Sequence, residues 1–275
     1  MYKKSIIKGF KDIANNKKIL LVEFFYGLYL FISVSIITVV LEKLTGFMSF
    51  IGVLRKLAIA EEIKETIFIF TKNNIWTLVI TIGIFVIVSF VVGSGLTAMK
   101  WYAVSQVARK KRLHVADMIK GMRKYVKKVV VIKIYSFCYL IAPILAGVLL
   151  FTILQTVTLP FAAFVISATL GVIGYFIVFL SLFYRYAILV SKKKAMSARV
   201  MRDSLAFFKK HKSFVIGAMI CAYLIPIIAR VILDLIGLVV PLLNIIIYII
   251  SLWILTTWMP LFIMNTFIAK KTKRR

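Results

Sequence analysis

The chain has 275 residues, 62% of them apolar, and its 37 Lys and Arg against nine Asp and Glu give a formal net charge of +28. A soluble domain is roughly half apolar, so this charge combined with a mean hydropathy of +1.00 excludes an ordinary soluble protein. The two properties agree in a membrane protein, because lipid covers the apolar segments and the loops hold the charge.

Six apolar stretches are long enough to cross a bilayer, which takes about 20 helical residues. The first follows a basic segment but is too long for a signal-peptide core, so we expect it to be retained. Spans three and four, and spans five and six, are separated by only a few residues, which predicts tight hairpins. The expected fold is an all-α integral membrane protein with three hairpins in one domain, with spans at residues 19–41, 75–98, 129–154, 159–190, 213–236 and 239–268.

The segment between the first two spans, residues 42–74, is not a plain linker. Apolar residues recur in it at helical spacing from Phe47 to Phe70, and charged residues such as Arg55, Lys56 and Glu62 fill much of the other face. This pattern predicts an amphipathic helix. We favour a helix in the outer membrane interface over a lid that closes on a pocket.

Thirty of the basic residues lie in four patches, at residues 3–18, 100–128, 185–212 and 270–275. With the N-terminus inside, all four patches fall on the inner side, while the outer side holds five basic residues, all within 42–74. Because Lys and Arg accumulate on the cytoplasmic side, we expect both termini in the cytoplasm. The expected location is the cell membrane, most simply a prokaryotic plasma membrane.

Two basic segments and the spans after them resemble each other at an offset of 83 or 84 residues. Trp101–Val104 returns as Arg185–Ile188, and Cys138–Ile144 returns as Cys221–Ile227. A shorter third copy begins the chain, where Ile7–Lys11 matches Ile119–Arg123. The sequence therefore predicts a unit written three times, a basic amphipathic cytoplasmic helix followed by a membrane hairpin, although chance similarity between such biased segments is the alternative.

The stretch Tyr186–Val190, the short basic segment after it, and Ser204-Leu205 leading to Lys209-Lys210 resemble a loose group of prokaryotic six-span families. That group includes the membrane domain attached to some glycerophosphodiester phosphodiesterases, and related uncharacterised archaeal and bacterial proteins. In those phosphodiesterases the catalysis belongs to a separate soluble barrel, for which this sequence has no counterpart. The resemblance implies architecture and no activity.

Polar residues inside the spans are the first candidates for a pathway, because each costs a few kcal/mol in lipid, about 2.5–3.5 for a charge at the centre. Glu23 and Lys133 lie just inside the inner ends of their spans and either pair with each other or reach to the interface. Arg230 and Asp234 have the i,i+4 spacing of a helical ion pair, and Asn244 lies in the sixth span. None is near the middle of the membrane, so we favour anchoring and packing roles over a polar path.

The basic patches are the second set of candidates. Clusters of four or more basic residues bind anionic headgroups with about 1 kcal/mol per residue, although much of this charge serves to set the topology. We expect anionic lipid as the partner, leave a membrane-protein partner open and do not favour nucleic acid. The candidate contacts are Arg109, Lys110, Lys111, Arg112, Lys192, Lys193 and Lys194.

Enzymatic chemistry has little support, because His114 and His211 lack neighbouring metal ligands and no catalytic motif occurs. We expect no enzyme activity, no cofactor and no metal. The favoured function is a non-enzymatic scaffold or accessory protein whose cationic cytoplasmic face contacts anionic lipid. The alternative is a transporter or permease for a small solute or lipid, which requires a polar cavity that reaches the middle of the membrane.

Overall fold

A computed structural model describes residues 2–54, 60–156, 158–192, 196–239 and 241–272, and within these ranges it describes all side chains except those of 47–48, 54, 60–61, 236–239 and 241–246. The regular structure of these residues is helical, without strands. After a short 3-10 helix at Lys17–Ile19, long helices dominate. The helices are α1 Tyr2–Asn15, α2 Leu20–Thr45, α3 Phe47–Leu54, α4 Ala60–Ala108, α5 Val115–Leu154, α6 Pro160–Ser181, α7 Arg185–Ser191, α8 Ser197–Lys210, α9 Lys212–Val239 and α10 Pro241–Thr272.

Six helical segments are long and apolar enough to cross a membrane, in agreement with the six spans expected from the sequence. Two of them lie in helices that are longer than the expected span, α4 at both ends and α5 at its start. Helix α4 begins at Ala60 rather than near residue 75, because neither Pro nor Gly interrupts the segment before the span. Helix α5 joins a basic segment and the third span into one helix from Val115 to Leu154.

The fourth span is broken where a continuous helix was expected. Helix α6 ends at Ser181 and α7 begins at Arg185. In the turn between them the backbone N–H of Arg185 bonds to Leu182 O at 3.1 Å, so the carbonyl of Ser181 loses its usual helical donor. Arg185 Nη1 also donates to Leu182 O, at 2.9 Å, which holds the turn in place.

The chain divides into two compact units, residues 24–93 and the remainder. In the first unit α3 packs against α4 through the stacked rings of Phe50 and Phe70, whose centroids lie 3.9 Å apart. Ser49 Oγ donates to Glu42 Oε1 at 3.2 Å across the turn that Gly46 makes with a φ of 64°. Arg55, Lys56, Leu57 and Ala58 of the predicted outer helix lie outside the described residues.

In the second unit all the buried apolar side chains that the structure describes, except Ala163 of α6, form one cluster, the basic-end core. It is built from α1, α7 and α8, the first turns of α2, α5 and α9, and the last turns of α4, α6 and α10. Trp258, Tyr184 and Phe262 are its largest fully buried side chains. The core therefore lies beside the basic patches and not in the middle of the apolar spans.

Helices α5 and α6 pack side by side along their apolar lengths through small residues. A Cβ on Gly147 would lie 3.1 Å from the carbonyl oxygen of Ser167, and one on Gly174 would lie 2.9 Å from Pro143 Cβ. Small residues let two membrane helices approach closely. The outward faces of the same helices remain uncovered, with Phe161 79% exposed at the start of α6.

Candidate functional site

Three junctions hold the basic helices to the ends of the spans, and a small residue forms each one. Gly9 of α1 packs against Trp258 of α10, where an added Cβ would lie 3.0 Å from the indole. Gly121 of α5 faces Tyr102 of α4, and a Cβ there would overlap the tyrosine ring. Glycine is needed at both positions because an aromatic side chain of the neighbouring helix occupies the space that a Cβ would fill.

The third junction uses a serine in place of glycine. Ser204 of α8 is buried, and its hydroxyl donates to the carbonyl of Ser181 at 2.7 Å. That carbonyl is the one that the break between α6 and α7 leaves without a helical donor. The hydrogen bond therefore satisfies a buried acceptor, which would cost about 1–3 kcal/mol of stability if it had no donor.

A polar network ties α1 to α10 and α4 inside the basic-end core. Lys8 Nζ donates to Asn265 Oδ1 at 2.9 Å and lies 3.4 Å from the carbonyl of Ala108. Asn265 Nδ2 donates to Asp12 Oδ2 at 3.0 Å. Asn265 is 3% exposed, so its amide is satisfied on both sides by groups from another helix.

An ion pair lies where α2 begins. Lys100 Nζ is 2.5 Å from Glu23 Oε1, and the two side chains are 20% and 9% exposed. Glu23 therefore pairs with Lys100, whereas the sequence suggested either a pair with Lys133 or a side chain that reaches to the interface. Neither alternative considered for Glu23 named Lys100, because Lys100 extends from the last turns of α4 to the start of α2, a contact that sequence distance does not reveal. Lys133 is half-buried on α5.

The cluster Arg109–Arg112 forms the turn between α4 and α5. Lys110 has a φ of 59°, and the backbone N–H groups of Lys110 and Lys111 bond to Val107 O and Gln106 O at 2.8 and 3.0 Å. This is the capping geometry that commonly ends a helix, here with lysine where glycine is usual. The turn leaves Lys110, Lys111 and Arg112 exposed, while Arg109 Nη2 lies 3.4 Å from the carbonyl of Val190.

The other basic cluster is described only at Lys192, because Lys193 and Lys194 lie outside the described residues. Lys192 Nζ is 2.5 Å from Asp203 Oδ2, and the side chains are 43% and 30% exposed. Both line a cavity of about 210 Å³ between the ends of α7, α8 and α10, together with Lys270 and Lys271.

The remaining candidates lie toward the C-terminal end of α9 and the N-terminal end of α10. Arg230 Nε is 3.8 Å from Asp234 Oδ2, as the i,i+4 spacing predicts, and its guanidinium lies 6.0 Å from the centre of the Tyr248 ring. Arg230 also lines a cavity of about 280 Å³ whose other walls are mostly apolar. The side chain of Asn244 lies outside the described residues.

The structure thus brings together residues that the sequence kept apart. Arg109 contacts the end of α7, Lys192 meets Asp203, and Glu23 meets Lys100. The network of Lys8, Asp12 and Asn265 was missed as a site, although an Asn within a span and an acid within a basic helix were both visible in the sequence. Within the described residues, no group of three or more His, Cys, Asp and Glu is placed to hold a metal ion.

Comparison of the chain with protein-family models, with curated proteins and with solved structures gives no match. Its function therefore has to be inferred from its own residues and their arrangement.

Proposed function

We propose that this chain is a multi-pass protein of a prokaryotic plasma membrane that acts as a non-enzymatic scaffold or accessory subunit. In this proposal its cationic face contacts anionic lipid headgroups on the cytoplasmic side. One observation carries the proposal: exposed basic side chains surround a well-packed core at the point where the apolar spans end. Charges on a rigid support at headgroup level keep their positions and lose little entropy on binding.

The topology in this proposal has both termini in the cytoplasm. It is supported by the 30 basic residues of the four patches, against five in the segment 42–74. Reporter fusions at the C-terminus and within 42–74 test it, with a reporter that is active only in the cytoplasm and one that is active only outside. Activity of the cytoplasmic reporter within 42–74 would contradict this topology.

We also propose that the unit of the architecture is a basic amphipathic helix followed by a hairpin of two spans, repeated three times. Gly9 and Gly121 occupy the same place in the sequence match, and Ser204 lies 83 residues after Gly121, at the offset of the repeat. Each of the three packs on the last helix of another hairpin. Equivalent small residues at equivalent junctions are what a repeated unit requires.

A scaffold is favoured over a transporter because of the chemistry of the cavities. The cavity along α5 and α6 has a volume of about 630 Å³ and is lined almost entirely by apolar groups, among them Phe151, Phe164 and Val172. A path for a polar solute needs polar groups at that depth. The wall of this cavity carries the hydroxyl groups of Ser167 and Tyr175 but, among the described residues, no charged side chain. The polar network of Lys8, Asp12 and Asn265 instead lies in the basic-end core.

The test of headgroup contact uses the full chain in nanodiscs that contain phosphatidylcholine and phosphatidylglycerol. Lys110, Lys111 and Arg112 are all changed to Gln, since they are exposed and sit at the end of a span. The enrichment of phosphatidylglycerol around the protein should fall clearly, because three charges contribute about 3 kcal/mol to anionic attraction. Native mass spectrometry of the retained lipids measures it.

The matched control neutralises Lys43, Lys64 and Lys72, which are equally exposed and equal in number but belong to the segment 42–74. This change should reduce the enrichment much less, because those charges are isolated. Equal losses for the two variants would show that only total charge matters. No enrichment around the unmodified chain, or solute uptake by vesicles that contain it, would contradict the scaffold proposal.

A further inference from the structure

The cavity between α7, α8 and α10 combines charge with an apolar wall. Its charged side chains are Lys192, Lys270, Lys271 and Asp203, and its apolar wall includes Phe207 and Phe267. Among the described residues that line it, three lysines face one carboxylate. Since Asp203 pairs with Lys192, the described residues that line the cavity offer no second carboxylate to Lys270 and Lys271.

The lysines of this cavity also have a structural role that involves no ligand, because they lie at a helix end. Lys270 and Lys271 lie in the last turn of α10, where a cation is stabilised by the partial negative charge of the helix C-terminus. Lys209 and Lys210 occupy the same place in α8, but they do not line the cavity. The two lysine pairs therefore share the helix-end role and differ in their access to the cavity.

The apolar wall and the size of the cavity restrict the kind of ligand that it can bind. Phe267 is 7% exposed and belongs to the basic-end core, so the wall is part of the packed structure. The volume of about 210 Å³ is below the roughly 300 Å³ at which pockets for drug-sized ligands begin. A small anionic group with an apolar or glycerol-like neighbour fits these walls, and a large polar solute does not.

We propose that this cavity is a binding site for a phosphate group, held by Lys270 and Lys271 beside the Lys192–Asp203 pair. The phosphate belongs either to the headgroup of an anionic phospholipid or to a small soluble phosphate compound. Lysine binds phosphate as a compact point charge with three donors. In the first case the site is one defined position within the headgroup contact of the proposed function and rests on that proposal; in the second it stands apart from it.

The experiment compares two double variants of the full chain in phosphatidylcholine nanodiscs doped with phosphatidylglycerol. Lys270→Gln with Lys271→Gln should weaken retention of the last bound phosphatidylglycerol by roughly 10- to 30-fold, as expected for two charges near a phosphate. Lys209→Gln with Lys210→Gln should change it by less than about 3-fold. Equal losses in the two variants would overturn the site.

Asp203→Asn gives a result that a purely structural role would not produce. It removes the one carboxylate and releases Lys192, so phosphate binding should tighten by about 5-fold. Weaker binding in Asp203→Asn overturns the proposal. Because Lys270 lies 5.1 Å from the centre of the Phe214 ring, Lys271→Gln alone serves as the second variant if the double variant does not fold.

A second arm titrates inorganic phosphate into the protein in pure phosphatidylcholine nanodiscs, with chloride at matched ionic strength. A rise in melting temperature that Lys270→Gln with Lys271→Gln abolishes assigns the site to soluble phosphate, whereas a response to phosphatidylglycerol alone assigns it to lipid. No response to either probe overturns the site. If the Lys110–Arg112 variant still lowers lipid enrichment in that case, the proposed function survives without this cavity.

Discussion

The basic-end core and the apolar lengths of the spans are held by different kinds of contact. In α10 the buried side chains concentrate between Trp258 and Phe267, and 39% of its most apolar stretch is buried. In α5 the corresponding stretch has no buried residue. Since lipid is as apolar as leucine, the spans gain little by covering one another. The basic end also carries exposed Lys and Arg side chains, and apolar side chains there gain free energy by burial away from water.

This difference indicates that contacts in the basic-end core, more than contacts along the apolar lengths of the spans, specify the fold of this chain. Polar contacts in the core join helices that are far apart in sequence, such as Lys8 with Asn265 and Tyr184 with Thr266, whose oxygens lie 3.1 Å apart. Such contacts accept few alternatives, because a buried polar group needs its partner. The exposed apolar faces of the spans have no such requirement, and different apolar side chains can replace one another there.

Trp258→Ala should have the largest effect on stability. The indole is fully buried, packs on Gly9 and donates from Nε1 to Ile6 O at 3.2 Å. Loss of a buried aromatic side chain costs about 3–5 kcal/mol, so the melting temperature in detergent should fall sharply. Trp76→Ala is the control, because Trp76 is 76% exposed and its removal leaves no cavity. Similar losses at both sites would erase the distinction between the two regions.

Gly121→Ala should be destabilising, although alanine favours a helix. Its Cβ would overlap the Tyr102 ring, and overpacking of this kind costs about 1–3 kcal/mol. Gly83→Ala is the control, because nothing lies within 4 Å of an added Cβ there. That variant should gain up to about 1 kcal/mol. Thermal unfolding followed by size-exclusion chromatography measures both, and a stabilised Gly121 variant would contradict the junction.

Glu23→Gln should cost about 2 kcal/mol. It removes the charge that Lys100 faces in a partly buried position, a situation worth less than the 3–5 kcal/mol of a fully buried pair. Asp234→Asn is the comparison, since the Arg230–Asp234 pair is long and exposed and should change stability by less than about 1 kcal/mol. A larger loss from Asp234→Asn would place the critical charges at the end of α9 and not beside the basic-end core.

Tyr2→Phe should have the smallest effect and a distinct dependence on pH. Tyr2 donates its hydroxyl to Phe214 O at 2.9 Å. Burial raises the pKa of this hydroxyl above its usual value of about 10, with a smaller contribution from the nearby Cys221. The stabilisation is therefore complete below about pH 10 and is lost as the pH rises through the raised pKa.

Unfolding of the two proteins between pH 8 and pH 11 checks this expectation. The difference between them, about 1 kcal/mol at neutral pH, should shrink toward high pH. Comparing the two proteins cancels the titration of the many lysines. A non-zero difference that stays constant across this range would contradict the raised pKa. No difference at any pH would mean that Tyr2 contributes only through ring packing, such as its stacking on Phe214 at 5.6 Å, which Phe retains.

Much of the architecture could be predicted because it follows from local composition. The number of spans depends on apolar length alone, and the pairing of Arg230 with Asp234 depends on helical spacing. The break in the fourth span could not be predicted, since the sequence from Phe179 to Ile188 carries no Pro or Gly. It depends on Ser204 from another helix, which satisfies the carbonyl that the break exposes.

The candidate site divides in the same way. The exposed cluster Lys110–Arg112 could be found by counting charges. The partner of Glu23 and the cavity beside Lys270 could not, because each depends on contacts between residues far apart in the chain.

By itself, the sequence determined that the chain belongs to a membrane, how many helices are able to cross it, and where the charge collects. These properties follow from transfer free energies of single segments, which need no knowledge of neighbours. The tertiary structure alone decided which basic residues are buried or paired within the core and which remain exposed on its surface. That choice depends on burial and pairing between distant helices, where each polar group must meet a specific partner or water.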